Sequence, residues 1–213
     1  AYNRDVHRLA NRLEHIFHGS PSGIDTGMAS DNMPAAWRPR DADVPRRDPL
    51  ELPECYLAIG ALPRREDTAR TVGAIGKRMR SHDSRTMAAL EELGSISESF
   101  IDSCRPGQEY REGDFADVTG RLADRAQVRL ADLGLSSRGL ETVLEHGRAA
   151  GAAGGKLSGG GTGGAFWMVF AERSSRDRWI REANSDVELM AETELRDPMF
   201  GLDVASVYPL TAN

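Results

Sequence analysis

Hydrophobic residues recur at helical spacing along most of this chain of 213 residues. The first segment carries Val6, Leu9, Leu13 and Phe17, a spacing that predicts an amphipathic helix. Further helices are predicted over residues 67–80, 84–103, 115–133, 137–150 and 174–184. An amphipathic helix at the start of the chain needs a partner for its apolar stripe. We therefore expect the chain to be the back part of a longer protein, or one of two pieces.

Short apolar runs between these helices predict buried strands over residues 55–59, 165–170, 187–192 and 204–207. Residues 30–53 are rich in Asp, Pro and Arg, so we expect an irregular connection with one edge strand. On the helix over 67–80 we expect Val72, Ile75 and Met79 to share one face. Helices and strands alternate in a pattern typical of an α+β fold, with helices on one face of a small sheet.

The composition narrows the classes of protein that the chain can belong to. Hydrophobic residues make up 39% and charged residues 28%, which favours a soluble globular protein. The net charge is −6 and the arginines alternate with acids, so we predict no nucleic-acid partner. No run of about 20 apolar residues occurs, so we predict no membrane segment. Cys55 and Cys104 form no CxxC pair, which favours reduced thiols and a cytoplasmic location.

Two loops carry the candidate chemistry. The first is HGSPSGIDTG, from His18 to Gly27, which contains the acid Asp25; the second is KLSGGGTGG, residues 156–164. Backbone amides in a glycine-rich run can surround phosphate oxygens without obstruction by side chains. An acid in one loop and an anion cradle in another indicate phosphoryl transfer.

The glycine run must be distinguished from two better-known phosphate motifs. A P-loop requires Ser or Thr after Gly-Lys, whereas Leu157 follows Lys156 here. The letters GGGTGG match GxGxxG, but we expect the order helix, loop, strand rather than strand, loop, helix. A flexible turn is the alternative interpretation. The hydroxyls of Ser158 and Thr162 would add donors to an anion site, and Lys156 is either a source of charge or a surface lysine.

Each polar residue near the first loop has two interpretations. Asp25 either accepts a proton from a substrate hydroxyl or caps a turn. Glu14, one helical turn before His18, is either a magnesium ligand or a solvated helix acid. His18 either contacts substrate or fixes the loop through its ring, and Ser22 can bond to nearby backbone.

These two loops resemble motifs of the GHMP small-molecule kinases. Glu14 followed by HGSPSGID resembles the upstream glutamate and HGxPSGxD segment of mevalonate kinases, and KLSGGGTGG resembles the third, glycine-rich motif, KLTGAGGGG. The segment PRREDTAR, residues 63–70, loosely resembles the family's PRxT stretch. The motifs occur in the family's order, and the resemblance spans essentially the whole chain.

The resemblance implies a role for each matching position. Asp25 corresponds to the catalytic aspartate and Glu14 to the magnesium-binding glutamate. His18, Ser22 and Thr68 would contact the substrate. The part that binds ATP would comprise Lys156, Ser158, Gly159, Gly160, Gly161, Thr162 and Gly163. The implied reaction is transfer of phosphate from ATP, with Mg²⁺, to the 5-hydroxyl of mevalonate.

The resemblance also implies an architecture and a missing part. Residues 1–53 would hold the last elements of the N-terminal domain, and residues 54–213 the ferredoxin-like C-terminal domain. The family's first motif and its PxGxGLGSSA phosphate loop do not occur in these 213 residues. We therefore expect an N-terminal half as a partner, with a homodimer also possible. The alternatives are another GHMP kinase, acting on phosphomevalonate or a sugar, and a relative that binds a ligand without catalysis.

Overall fold

A computed structural model describes residues 3–18, 21–31, 33–38, 44–63, 68–105, 107–111, 113–185 and 203–207. The chain forms two compact units. The first comprises Ala1–Leu52, Cys104–Gln108 and Ala212–Asn213, and the second comprises Pro53–Ser103 and Glu109–Thr211. None of the helices in the described ranges is long and apolar enough to cross a membrane.

The first unit contains two helices and a β-hairpin: α1 (Arg4–His18), α2 (Ile24–Ala29), β1 (Ala35–Arg38) and β2 (Arg46–Pro49). The two strands pair antiparallel, with Ala35 opposite Pro49. Sequence reasoning expected one edge strand in this region, and the structure has two that pair with each other. Asp48 holds the hairpin together through ion pairs, 3.1 Å to Arg38 and 2.6 Å to Arg46, and hydrogen bonds from these arginines hold the pKa of Asp48 below its usual range.

Helix α1 turns its polar side towards the interior of the first unit. His7 is fully buried and Asn11 is 6% exposed. Val6, Leu9 and Leu13, in contrast, are more than half exposed. The side chain of Phe17, the fourth member of the predicted stripe, lies outside the described residues. The apolar stripe of α1 is therefore solvent-facing over its described part, and α1 packs through a histidine and an asparagine.

In its described residues, the second unit has five helices and a four-stranded sheet. In chain order these are β3 (Tyr56–Leu62), α3 (Thr68–Arg80), α4 (Ser84–Ser103), α5 (Asp114–Asp132), α6 (Arg138–Ala149), β4 (Gly154–Leu157), β5 (Gly164–Phe170), α7 (Arg173–Ser185) and β6 (Asp203–Val207). The sheet order is β4-β5-β3-β6, and every neighbouring pair is antiparallel. This is a ferredoxin-like arrangement, so the predicted α+β fold is confirmed. The predicted strand over residues 187–192 lies outside the described residues.

The core of the second unit lies between one face of the sheet and its helices. Alternate residues of β3 and β5 point inward, among them Ala58, Phe166 and Phe170, all fully buried. They pack against the indole of Trp179 from α7 and against Leu144 from α6. The apolar runs that predicted these two strands thus supply core residues.

The exposed face of α3 differs from the prediction. Val72 is 58% exposed and Met79 is 43% exposed, whereas Thr71 is buried. Only Ile75 of the predicted face packs against the core. The buried side of α3 is thus rotated towards Thr71, because short polar side chains can be buried where the helix approaches a neighbour closely.

Helix α5 covers the open edge of β4. The backbone amide of Gly155 donates to the Asp124 carboxylate at 3.0 Å, and that of Leu157 donates to the Gln127 side chain at 2.9 Å. A Cβ on Gly120 of α5 would collide with the backbone of Ala153, so only glycine permits this approach. Two side chains of one helix therefore satisfy edge amides that would otherwise lack partners.

Candidate active site

Asp25 lies in the first turn of a short helix. The sequence placed it in a loop, but the structure begins α2 at Ile24, directly after Gly23 in the left-handed region with φ of 75°. The carboxylate is exposed, and Ser22 accepts a hydrogen bond from the amide of Ile24 at 3.2 Å through its own exposed side chain. An acid at the partly positive amino end of a helix interacts favourably with the unpaired backbone amides there. Asp25 is therefore presented to solvent as a carboxylate on a defined backbone.

A histidine that sequence reasoning did not select fixes this turn. The Nε2 of His7 lies 2.6 Å from the carbonyl oxygen of Gly23 and donates to it. The same carbonyl accepts from the amide of Gly27 at 3.0 Å and from the hydroxyl of Thr26 at 3.3 Å. The ring of His7 also meets Trp37 edge-on, with centroids 5.3 Å apart. His7 therefore fixes this turn through its ring.

The structure describes the side chain of Glu14 but not those of His18 and Thr68. Glu14 is half-buried on α1, one turn before the end of the helix. His18 is the last residue of α1 rather than part of a loop, and its side chain lies outside the described residues. The side chain of Thr68, at the start of α3, lies outside them as well. The roles of these three residues stay predictions.

The glycine run forms the connection of a β-hairpin. Lys156 and Leu157 end β4, and Gly164 begins β5. The order is thus strand, loop, strand, which corrects the expected order of helix, loop, strand. A dinucleotide fingerprint still does not apply, since its loop must open a helix. Ser158 closes the hairpin by donating from its amide to Ala165 at 2.8 Å.

The backbone of the loop has a conformation that requires its composition. Left-handed φ values occur at Gly159, Gly161, Thr162 and Gly163, at 81°, 78°, 57° and 106°. Non-glycine residues rarely adopt this region, and Thr162 does so here. Its amide donates to the carbonyl of Leu135 at 2.7 Å, and its hydroxyl donates to Gly161 at 2.8 Å. The loop is therefore a defined turn seated on Leu135 rather than a flexible connection.

The loop retains open hydrogen-bond donors. Gly159 is exposed and Gly160 is half-buried. Neither amide donates to any residue within the described ranges. Successive amides of this kind in a left-handed turn form an anion-binding concavity. The loop can thus accept phosphate oxygens, whereas the amides of Ser158 and Thr162 are already engaged.

Lys156 is neither a surface lysine nor an open cation. Its Nζ donates to the carbonyl of Leu157 at 2.7 Å and lies 5.7 Å from the centre of the Trp167 ring. Burial lowers the pKa of this ammonium group. The side chain is thus held along the sheet beside the first residue of the loop. Its described contacts support the strand and do not by themselves form a phosphate site.

The candidate residues fall into the two units. Glu14, Ser22 and Asp25 lie in the first unit, and the glycine loop lies in the second. Sequence reasoning missed His7 and Leu135, which hold the two loops in place. A polar pair on α1, His7 with Asn11 four residues later, was a signal for the first, because buried polar residues at helical spacing mark a packed face. Nothing in the sequence indicated the contact between Thr162 and Leu135, because Leu135 makes it through its main-chain carbonyl.

Comparison with known proteins gives a family match for part of the chain and a curated relative for most of it. Residues 111–188 match the family described as "GHMP kinases C terminal". The mevalonate kinase of Aeropyrum pernix is 30% identical over 169 residues, which covers 79% of this chain and 49% of that protein. The chain therefore spans about half the length of this curated relative.

Solved structures share the fold. An L. major mevalonate kinase in complex with R-mevalonate matches with a TM-score of 0.70 at 22% identity, over 93% of this chain and 56% of that one. A homoserine kinase from Cytophaga hutchinsonii matches with a TM-score of 0.64 at 15% identity, over 96% of this chain and 57% of that one. The family match and the curated relative together support a mevalonate-kinase-like protein of the GHMP kinase family, and the solved structures share its fold.

Proposed function

We propose that this chain is the C-terminal part of a kinase that transfers phosphate from ATP to the 5-hydroxyl of mevalonate. The observation that supports the substrate is the 30% identity to the mevalonate kinase of Aeropyrum pernix over 79% of the chain. The fold does not decide the substrate, because a homoserine kinase shares it. Another GHMP kinase activity, on phosphomevalonate or a sugar, is therefore the second candidate, and a ligand-binding relative without catalysis is the third.

In this proposal Asp25 is the catalytic residue. Its exposed carboxylate sits at the amino end of α2 on a turn fixed by His7 and Gly23. A carboxylate held in this way orients the substrate hydroxyl and accepts its proton as the phosphoryl group is transferred. Ser22, His18 and Thr68 are proposed to contact the alcohol substrate, as the resemblance implies.

The glycine loop is proposed to hold ATP. The open amides of Gly159 and Gly160 fit phosphate oxygens, and the neighbouring Gly161, Thr162 and Gly163 shape the turn. Lys156 at the end of β4 and Ser158 directly after this strand are proposed to belong to the same ATP-binding part.

Magnesium is proposed to bind as an ion shared between this chain and phosphate. The described residues contain no group of three His, Cys, Asp or Glu side chains that could hold a metal. Mg²⁺ commonly uses one or two carboxylates beside phosphate oxygens and water, and Glu14 offers one such carboxylate. The bound ion would neutralise charge on the transferred phosphate.

We further propose that an N-terminal part packs on α1. Val6, Leu9, Leu13 and Ile16 are between 54% and 74% exposed along one side of this helix. A stripe of this kind marks an interaction surface. In this arrangement residues 1–53 complete an N-terminal domain and residues 54–213 form the C-terminal domain. A homodimer is also possible, and light scattering of the chain alone measures its molar mass. A chain that is monomeric, fully folded and binds ATP by itself would contradict the need for an N-terminal part.

The test of the activity is ATP turnover by the chain together with the N-terminal part. Mevalonate, phosphomevalonate, homoserine and galactose are compared as substrates, with Asp25→Asn as the control variant. We expect turnover with mevalonate, reduced roughly 10²–10⁴-fold in Asp25→Asn at similar ATP affinity. Preference for another alcohol supports the second candidate. If the wild-type chain and Asp25→Asn both bind a ligand and neither shows turnover, the third candidate, a ligand-binding relative, is supported.

A further inference from the structure

The glycine-rich loop is fixed at two points by residues that are distant from it in the sequence. Its first anchor is Leu157, the last residue of β4, and its second is Thr162, within the loop. Leu157 donates from its amide to Gln127 of α5, and Thr162 donates from its amide to the carbonyl of Leu135, in the turn between α5 and α6. The shape of the loop therefore depends on how α5 and this turn are held together.

One buried side chain connects both anchors. Gln127 is 2% exposed, and its Oε1 accepts from the Leu157 amide at 2.9 Å. Its Nε2 donates to the hydroxyl of Ser136 at 3.0 Å and to the carboxylate of Glu141 at 2.8 Å. Ser136 in turn donates to the same Glu141 oxygen. Since Ser136 follows Leu135 directly, the amide of Gln127 links β4, the α5–α6 turn and α6.

The orientation of this amide has no alternative. If the oxygen and nitrogen of Gln127 were exchanged, its NH₂ would face the amide N–H of Leu157, and its oxygen would face the Glu141 carboxylate. Both donors and the acceptor are engaged in the observed orientation. A buried polar network that is fully satisfied holds its members in one arrangement, whereas a partly satisfied one is costly. The network thus specifies a single position for the turn that carries Leu135.

The contact between loop and turn is close. A Cβ on Gly161 would lie 2.5 Å from the carbonyl oxygen of Leu135, so only glycine allows the loop this near. Leu135 is itself held by a hydrogen bond from its amide to the carbonyl of Leu130 at 3.0 Å. A shift of the turn would therefore move the loop at Gly161 and Thr162.

We infer that Gln127 is a positioning residue for the glycine-rich loop: it acts through Leu157 and through the Ser136–Leu135 turn to hold the loop in the shape that receives phosphate. The inference rests on the proposed function for the identity of the ligand, but not for the control of loop shape. Gln127 does not touch the loop's open amides, so it acts only through its neighbours.

The experiment compares three variants of the chain. Gln127→Met keeps the length of the side chain and removes every hydrogen bond that the Gln127 side-chain amide makes. Ser136→Ala removes only the link to the turn. Thr119→Val is the matched control, because its buried hydroxyl on the same helix has no hydrogen-bond partner among the described residues. Hydrogen exchange of single amides is measured by NMR, with the amide of Ala153, bonded to Val169 at 2.8 Å, as the internal reference.

Relative to that reference, we expect exchange at both Leu157 and Thr162 to become roughly tenfold faster in Gln127→Met, since each lost hydrogen bond lowers the free energy of local opening. In Ser136→Ala, Thr162 alone should exchange faster. Thr119→Val should match the wild-type chain at both amides. The inference is overturned if Thr162 keeps its wild-type protection in both Gln127→Met and Ser136→Ala.

Titration with Mg·ATP separates this inference from the proposed function. If the wild-type chain binds ATP, we expect the Kd of Gln127→Met to rise roughly fivefold or more and that of Thr119→Val to stay within about twofold. An unchanged Kd in Gln127→Met overturns the positioning role for phosphate. Absence of ATP binding by the wild-type chain together with the N-terminal part contradicts the proposed function, and the exchange rates at the two amides then decide by themselves whether Gln127 holds the loop.

Discussion

The Nε2 of His7 lies 2.6 Å from the carbonyl oxygen of Gly23, and this contact joins α1 to the turn that presents Asp25. Gly23 adopts a left-handed φ of 75°, and a Cβ at this position would lie 2.7 Å from Pro45. Glycine adopts this φ without strain, whereas any larger residue would collide there, and the buried imidazole holds the turn through the Gly23 carbonyl. The position of the exposed acid is therefore set by a histidine from the preceding helix.

Replacement of His7 tests this relationship. His7→Ala should lower the free energy of unfolding by about 2 kcal/mol, because it removes a buried hydrogen bond and leaves a cavity beside Trp37. It should also reduce turnover without a matching loss of ATP affinity. Urea denaturation and steady-state kinetics measure the two effects. His15→Ala, on the exposed side of the same helix, is the control and should change the unfolding free energy by less than about 0.5 kcal/mol. Equal losses in the two variants would contradict the proposed support.

Replacement of Gly27 tests how closely α2 packs against His7 and Trp37. A Cβ at Gly27 would lie 2.9 Å from both His7 and Trp37. Gly27→Ala should therefore destabilise the chain by about 1–3 kcal/mol through overpacking. Gly94 on α4 is the matched control, since a Cβ there meets nothing within 4 Å. Gly94→Ala should stabilise the chain by up to about 1 kcal/mol. Thermal denaturation that shifts both variants in the same direction would refute the packing argument.

Replacement of Gly161 tests the close contact between the glycine loop and the carbonyl of Leu135. Gly161 and Gly134 have nearly the same φ, 78° and 79°, but only a Cβ on Gly161 would approach another atom closely, 2.5 Å from the Leu135 oxygen. Gly134→Ala should cost about 1 kcal/mol through its backbone alone. Gly161→Ala should cost more and weaken binding of Mg·ATP. Urea denaturation and isothermal titration measure these effects, and an equal affinity in the two variants would argue against a seated loop.

The buried ammonium of Lys156 predicts a dependence of stability on pH. Its pKa is lower in the folded chain than its usual 10.5, so between the folded value and 10.5 the unfolded chain binds more protons. Its contribution to stability therefore rises with pH through this window. The unfolding free energy of the wild-type chain should increase relative to that of Lys156→Met as the pH approaches 10.5. Urea denaturation at several pH values measures this, with the exposed Lys77→Met as control. A difference independent of pH would contradict the burial of the charge.

Local patterns were enough to predict much of the second unit. The helices α4, α5 and α6 begin and end within one or two residues of their predicted bounds, and Ser137 caps α6 by accepting from the amide of Leu140. Strand β5 was predicted from its apolar run. Spacing at 3.6 or 2 residues is a property of a short segment, so one sequence is enough to show it.

Other features depended on contacts between distant segments. Strand β4, residues GGKL, has almost no apolar pattern, and it forms because β5 and α5 satisfy its backbone on both sides. The hairpin of β1 and β2 carries ion pairs from Asp48 to Arg38 and Arg46, which no periodic pattern indicates. Polar groups find their partners only when the chain is folded, and their spacing in the sequence does not show which partners those are.

The sequence by itself determined the family resemblance, the fold class and the two loops with candidate chemistry, because these depend on residue identity and local spacing. The tertiary structure alone decided which residues hold those loops. His7 supports the turn of Asp25, and Leu135 seats the glycine loop through its carbonyl. A main-chain carbonyl is the same in every residue, so its role depends on where folding places it rather than on which side chain it carries.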